Sequence, residues 1–208
     1  MKNDLFSIGP FTVHGYGLMI AIGVLSAYYM VEYRAKKKQM DWEKVFPLTV
    51  WSVLGGFLGS KILYLLTRLP DILANPALLG SSIKDGFVVY GGIIGGILTA
   101  WIYCKCTKWN FWKIFDIAMP AVAMAQGFGR IGCLLAGCCY GIELDPANPI
   151  GIVFHNSAYA PNDVALLPTQ IISSVLDFAN CFVLLALSKK LKTDGQVASC
   201  YLIFYSIG

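Results

Sequence analysis

The stretch IFDIAMPAVAMAQGFGRIGCLLAG, Ile114–Gly137, decides how this chain is built. It exceeds the ~20 apolar residues that a helix needs to cross a hydrocarbon core ~30 Å thick. Only Asp116 and Arg130 carry charge in it. At ~1.5 Å per residue, Arg130 lies ~24 Å along the helix, and Asp116 is ~21 Å away from it, too far to neutralise it. Gln126 (i−4) and Cys133 (i+3) share the face of Arg130, so a polar stripe is expected to point into a bundle. An ionisable residue at membrane depth is costly and usually has a partner or a function.

Similar segments lie on both sides. Apolar runs extend from Phe11 to Tyr33, Val45 to Leu66, Phe87 to Cys104 and Pro168 to Ser188, and a sixth starts near Val197. Of the 208 residues 57% are hydrophobic and 13% charged, too little charge to cover a soluble domain of this size. The expectation is an all-α polytopic integral membrane protein, 1–208, one transmembrane domain of about six helices with the last incomplete. A cleaved signal peptide does not fit the first run, because the cationic cluster follows it instead of preceding it. The net charge of +4 is too small for a nucleic-acid surface.

Lysine and arginine in short loops set the orientation. Arg34, Lys36, Lys37, Lys38 and Lys44 follow the first run, Lys105, Lys108 and Lys113 the third, and Lys189, Lys190 and Lys192 the fifth. The other side has Lys2, Arg68 and Lys84, and the long loop from Ile142 to Leu167 has no cation. The N-terminus and the long loop are therefore expected outside.

On that topology several polar side chains share one outer layer. His14 and Tyr16 enter the first helix at ~5–8 Å, Tyr90 the third at ~5 Å, and Lys61 lies ~8 Å deep in the second. Each has a plainer reading: Lys61 as a snorkelling lysine, the tyrosines as belt aromatics, His14 as a hydrogen-bonded interface residue. Arg130 has a longer reach to water, and its guanidinium matches phosphate with paired hydrogen bonds. In an outer-leaflet cavity the abundant phosphate is a lipid headgroup. Gly55, Gly56 and Gly59, with Gly91, Gly92, Gly95 and Gly96, give two helices the small-residue spacing that lets backbones approach. The glycines around Arg130, Gly129 and Gly132 among them, could expose backbone N–H groups to an anion. The seven cysteines read as small apolar filling. A zinc site drawn from them would need both membrane faces, so no metal is expected; Cys138 or Cys139 could pair with Cys133 or stay reduced.

FSIGPFTVHGYGLMIAIG, GGFLGSKILYLL, DGFVVYGGIIGG and GFGRIGCLLAGCCYG, in this order, resemble the bacterial prolipoprotein diacylglyceryl transferase family, as do PTQ at Pro168–Gln170 and GQVASCYLIFYSIG. The resemblance covers essentially the whole chain. It implies transfer of diacylglycerol from phosphatidylglycerol to the lipobox cysteine of a preprolipoprotein, at the outer leaflet of the plasma membrane. It implies no metal or nucleotide cofactor. Carried over, Arg130 would bind the lipid phosphate beside the turn of Gly129 and Gly132, and His14 and Tyr16 match the family's helix-one polar pair; from their shared depth, Lys61 is expected to join the phosphate contacts and Tyr90 the catalytic layer.

The chain departs from the family pattern at several places. Tyr90-Gly91-Gly92 stands where the family commonly has HGG, Cys133 where an asparagine is frequent and Cys138 at an acidic position. Ile171-Ile172-Ser173 replaces a Tyr-Glu pair after PTQ. Two other readings follow from these departures: a lipid-headgroup transferase with another acceptor, or a non-catalytic lipid-binding protein. A channel fits less well, because the polar residues cluster at one depth. The last apolar run, VASCYLIFYSIG, reaches only ~18 Å into the core. Residues 1–208 are on this reading part of a longer protein, or a degenerate copy, that does not turn over lipid alone.

Overall fold

The computed structural model describes residues 4–8, 11–75 and 86–207. Among them five helices are long and apolar enough to cross a membrane: α1 (Gly15–Lys37), α2 (Val45–Thr67), α4 (Val89–Thr107), α5 (Phe111–Ala136) and α6 (Thr169–Leu187). Two shorter helices, α3 (Leu69–Ala74) and the apolar α7 (Gln196–Ile207), accompany them. Leu25, Phe57, Ile94 and Phe182 point outward without protein cover. Such a surface suits hydrocarbon and not water, so the all-helical polytopic membrane architecture stands. Lys2 and Lys84, used above for orientation, lie outside the described residues.

The chain divides into two compact units, Met1–Arg34 with Phe115–Gly208, and Ala35–Ile114. In the second unit α2 and α4 pack against each other through glycine. A Cβ on Gly59 would strike the carbonyl oxygen of Gly91, and one on Gly91 that of Gly59. Backbone thus meets backbone, and dispersion between the two helices replaces the side-chain contacts that glycine lacks. Ser60 Oγ donates to the Val88 carbonyl (2.8 Å), tying α2 to the residue before α4. A short 3-10 turn, Trp42–Lys44, leads into α2, and Leu48, Cys104 and Ile114 are buried together. Gly59→Ala is expected to destabilise the chain by about 1–3 kcal/mol, since the backbones must part. Gly96→Ala should be neutral in the same thermal-unfolding measurement in detergent, because its Cβ would sit 3.5 Å from the Ser52 carbonyl oxygen.

The first unit opens with a hairpin that the sequence reading did not contain. Strand β1 (Asp4–Ile8) pairs antiparallel with β2 (Phe11–His14), Ile8 opposite Phe11 and Asp4 opposite His14. The helix expected from Phe11 begins instead at Gly15, and His14 lies on a strand, not inside a helix. Phe11-Thr12-Val13 is aromatic and β-branched, a composition that suits a strand, and the hairpin satisfies its backbone groups. At the other end α1 runs on to Lys37, so Arg34, Lys36 and Lys37 stand in its last turns and not in a loop.

Arg34 is only 7% exposed, and its partner explains why. Pro120 lies inside α5 and has no N–H, which leaves the carbonyl four residues earlier, that of Asp116, without a helical donor. Arg34 Nη2 donates to that oxygen at 3.3 Å. The Asp116 carboxylate, 4% exposed at residue level, accepts the backbone N–H of Gly195 (2.7 Å) and of Ala198 (2.8 Å). It therefore caps the start of α7 from a different helix, where the dipole favours negative charge. Met119, Ala123, Cys181, Leu184, Val197 and Tyr201 form the core beside it.

The long loop after α5 is folded. Strands β3 (Ile152–Val153) and β4 (Ala165–Leu166) pair over buried Phe154, Ala160 and Leu166, with Leu134 of α5 packed against them. Thr169 Oγ1 donates to the Cys139 carbonyl and Gln170 Nε2 to that of Cys138, both at 2.8 Å, which ties the loop's return to the end of α5.

Candidate active site

Arg130 faces a cavity of about 190 Å3 between α5, α6 and α7, lined also by Ser173, Asp177, Asn180, Phe204 and Tyr205. Its guanidinium makes no hydrogen bond or ion pair with a described residue. Asp177 is near enough to feel its charge, but no direct contact joins the two. The Oδ1 of Asn180 is buried without a hydrogen-bond partner. A cation, a carboxylate, an amide and a hydroxyl thus converge on one space inside an apolar bundle. Buried polar groups are normally satisfied, so the unmet Asn180 oxygen in this polar lining suits a polar ligand.

The α6 part of this set was not read from the sequence. Gln170, Ser174, Asp177, Cys181 and Leu184 are all buried, at the three- and four-residue spacing of one helix face. Ser174 Oγ donates to the Gly127 carbonyl (2.9 Å), which holds that face on α5. The signal for it in the sequence is Asp177, an acidic residue within an apolar run. Gln126, expected on the Arg130 stripe, accepts a hydrogen bond from Tyr201 Oη (2.7 Å).

Of the residues expected in the polar layer, Tyr16 and Gly132 come together. A Cβ on Gly132 would lie 3.2 Å from the Tyr16 ring and 3.3 Å from Met19, so its lack of a side chain admits the tyrosine. Gly129 faces open space. His14 is exposed, directly before α1. Lys61 and Tyr90 belong to the other unit. Lys61 Nζ donates to the Gly86 carbonyl (3.1 Å) and lies 4.7 Å from the centre of the Phe87 ring. Tyr90, in the first turn of α4, is 75% exposed.

The cysteines do not behave as scattered filling. The end of α5 is a Schellman turn: Gly137 takes φ +71°, its N–H bonds to the Leu134 carbonyl (3.2 Å), and the Cys138 N–H to that of Cys133 (3.0 Å). This turn brings the side chains of Cys133 and Cys138 together. Cys139, at φ +57°, turns back to join them, and the three Sγ atoms lie within 4.8 Å of one another. All three are free thiols. Burial and then the neighbouring Cys139 push the Cys138 thiol up from its ordinary value. The expectation that sulfur ligands could meet only by combining both membrane faces does not hold, because one turn gathers three.

These features define a polytopic membrane protein with a polar cavity and, at the end of its fourth long helix, a thiol cluster. Residues 3–208 match the family described as prolipoprotein diacylglyceryl transferase. The chain belongs to that family, and so to the membrane transferases of lipoprotein biosynthesis. It is 44% identical to the phosphatidylglycerol–prolipoprotein diacylglyceryl transferase of Clostridium tetani (strain Massachusetts / E88), over 100% of this chain and 82% of that protein. It is 43% identical to phosphatidylglycerol–prolipoprotein diacylglyceryl transferase 2 of Clostridium perfringens (strain 13 / Type A), over 100% and 80%. With the enzyme of that name from Staphylococcus carnosus (strain TM300) it shares 31%, over 98% and 74%.

Proposed function

We propose that this chain moves the diacylglyceryl group of phosphatidylglycerol onto the lipobox cysteine of a preprolipoprotein, with the lipid phosphate held by Arg130. The observation that carries this reading is the cavity itself, where a guanidinium with no ion-pair partner among the described residues stands beside Asp177, Ser173 and Asn180. Phosphatidylglycerol offers a phosphate to the first and glycerol hydroxyls to the others. The acceptor thiolate attacks the glycerol carbon that bears the phosphate, the carbon–oxygen bond breaks, and glycerol phosphate leaves with the electron pair. Arg130 stabilises the charge that gathers on the departing phosphate. Tyr16, seated on Gly132, flanks the reacting centre, and His14 is the candidate acceptor for the thiol proton. Gly129, with open space around it, leaves room beside Arg130 for the headgroup. The test is the mass of a lipobox peptide incubated with the chain in phosphatidylglycerol vesicles, which should rise by one diacylglyceryl group.

Asp177→Asn probes the glycerol contacts apart from the phosphate. It should raise KM for phosphatidylglycerol about tenfold with little change in kcat, the signature of lost uniform binding. An unchanged KM would remove Asp177 from headgroup recognition.

The cavity opens towards the outer leaflet in this reading, on the strength of the lysine and arginine distribution. With the native cysteines replaced, Asn156→Cys should react with an impermeant thiol reagent added to intact cells, and Lys37→Cys should not. The reverse pattern would invert the orientation.

A further inference from the structure

We propose that Cys133, Cys138 and Cys139 bind one thiophilic d10 cation of the zinc(II) class and leave its fourth position to the acceptor thiol. The three sulfurs already lie within 4.8 Å of one another. Zinc–sulfur bonds of ~2.3 Å place the sulfurs of a tetrahedral site ~3.8 Å apart, so closure asks each thiol for a shift of about 1 Å or less. A side-chain rotation supplies that at Cys139, which is exposed.

The backbone favours the arrangement. The Schellman turn fixes Cys133 and Cys138 side by side. Cys139 then adopts a left-handed conformation that a non-glycine residue takes at a cost, and by doing so completes the triad. A turn built only to end a helix needs the glycine at 137 and no such residue two positions later. Three protein ligands with an open fourth position are the pattern of a zinc site that does chemistry, whereas purely structural zinc is closed by four.

The open position has an occupant on the reading above, on which this half of the inference rests. The reaction is the alkylation of a thiol, and a thiol bound to zinc is deprotonated outright. On coordination the acceptor S–H releases its proton to water or to His14. A complex of zinc with four thiolates carries net negative charge, which keeps the bound sulfur electron-rich. Its lone pair forms the sulfur–carbon bond as the carbon–oxygen bond breaks, and the pair from that bond leaves on glycerol phosphate. No oxidation or reduction takes place. Arg130 and Cys133 stand three residues apart on α5, so the guanidinium that receives the leaving phosphate and the metal that holds the nucleophile sit one turn from each other. Tyr16 lies close enough to interact with all three sulfurs.

Cobalt(II) is the probe. The whole chain, purified reduced in detergent and stripped with a chelator, should bind one equivalent of cobalt(II) and show thiolate-to-cobalt charge transfer. A lipobox peptide should shift that band, and its cysteine-to-serine version should not. Cys139→Ser is the deciding variant, because its exposed position leaves the core untouched. It should abolish the band and lower the transfer rate at least about tenfold, while Cys106→Ser, on α4, should keep both. Absence of the band from the reduced wild-type chain, or a band that survives Cys139→Ser, overturns the metal site. A full transfer rate in stripped protein overturns the metal's role while leaving the transferase reading in place. A peptide-shifted band in a chain that transfers no diacylglycerol upholds the thiol site and refutes the reaction instead.

Discussion

Replacing Arg130 with lysine is expected to cut diacylglyceryl transfer by about two to three orders of magnitude while the protein still inserts and folds. The charge survives in this variant; what is lost is the planar fork that engages two phosphate oxygens at once. The loss should fall mainly on kcat. A phosphodiester carries one negative charge and the departing phosphate monoester more, so the guanidinium contributes most as the carbon–oxygen bond breaks. Arg130→Gln should be as slow, and should in addition bind phosphatidylglycerol vesicles more weakly, since no cation remains. The measurement is single-turnover transfer to a lipobox peptide, followed by mass. Activity within a few-fold of the unaltered chain in Arg130→Lys would make Arg130 a structural ion, and the phosphate would then have to be sought elsewhere.

The helices were legible because hydrocarbon imposes a simple rule: a spanning segment must be apolar and must satisfy its own backbone. That rule reads directly from Val45–Leu66 or Pro168–Ser188, and the structure places α2 and α6 within a residue of those limits. It fails at Phe11–His14, where an equally apolar stretch satisfies its backbone by pairing with Asp4–Ile8. Hydropathy does not register the difference between a strand and the first turn of a helix; only the β-branched Thr12 and Val13 hint at it.

The candidate site divides along the same line. Arg130 stood out because a cation deep in a membrane helix is rare. Asp177 obeys the same logic from the opposite sign and would have been found by it, together with the buried stripe from Gln170 to Leu184. The thiol cluster was beyond any counting of ligands by spacing, because it depends on two backbone conformations. Gly137 at φ +71° could be anticipated as a helix stop, but Cys139 at φ +57° could not, since a cysteine gives no sign that it will turn left-handed. A fold dominated by one physical term shows itself in composition, whereas a site made by local geometry does not.

Asp116→Ala should have the largest effect on stability of any single change outside the site. The carboxylate accepts two backbone N–H groups at the start of α7, at 2.7 and 2.8 Å, and both bonds are charge-assisted. Hydrogen bonds to a charged group contribute about 1.5–3 kcal/mol each, and their loss leaves N–H groups unsatisfied where little water can reach them. The alanine also removes the negative charge near Arg34, while the guanidinium remains buried and bound only to a carbonyl that Pro120 leaves without its helical donor. Two lost charge-assisted bonds, with the nearby negative charge gone from a guanidinium that stays buried, should together cost about 3–5 kcal/mol. Asp116→Asn keeps one acceptor oxygen and the same volume, so it should recover part of the loss, its amide group meeting a backbone N–H that it cannot serve. The replacement Pro120→Ala supplies the missing N–H to the residue-116 carbonyl and competes with Arg34 for it. Combined with Asp116→Ala it should therefore worsen the position of Arg34 further, and the two changes should not be additive. Thermal unfolding in detergent, followed by exposure of the buried Cys181 to a thiol reagent, reads all four proteins against the unaltered chain. Equal unfolding temperatures for the unaltered chain and Asp116→Ala would show that the α7 cap carries no weight, and that the helix is held by its apolar face alone.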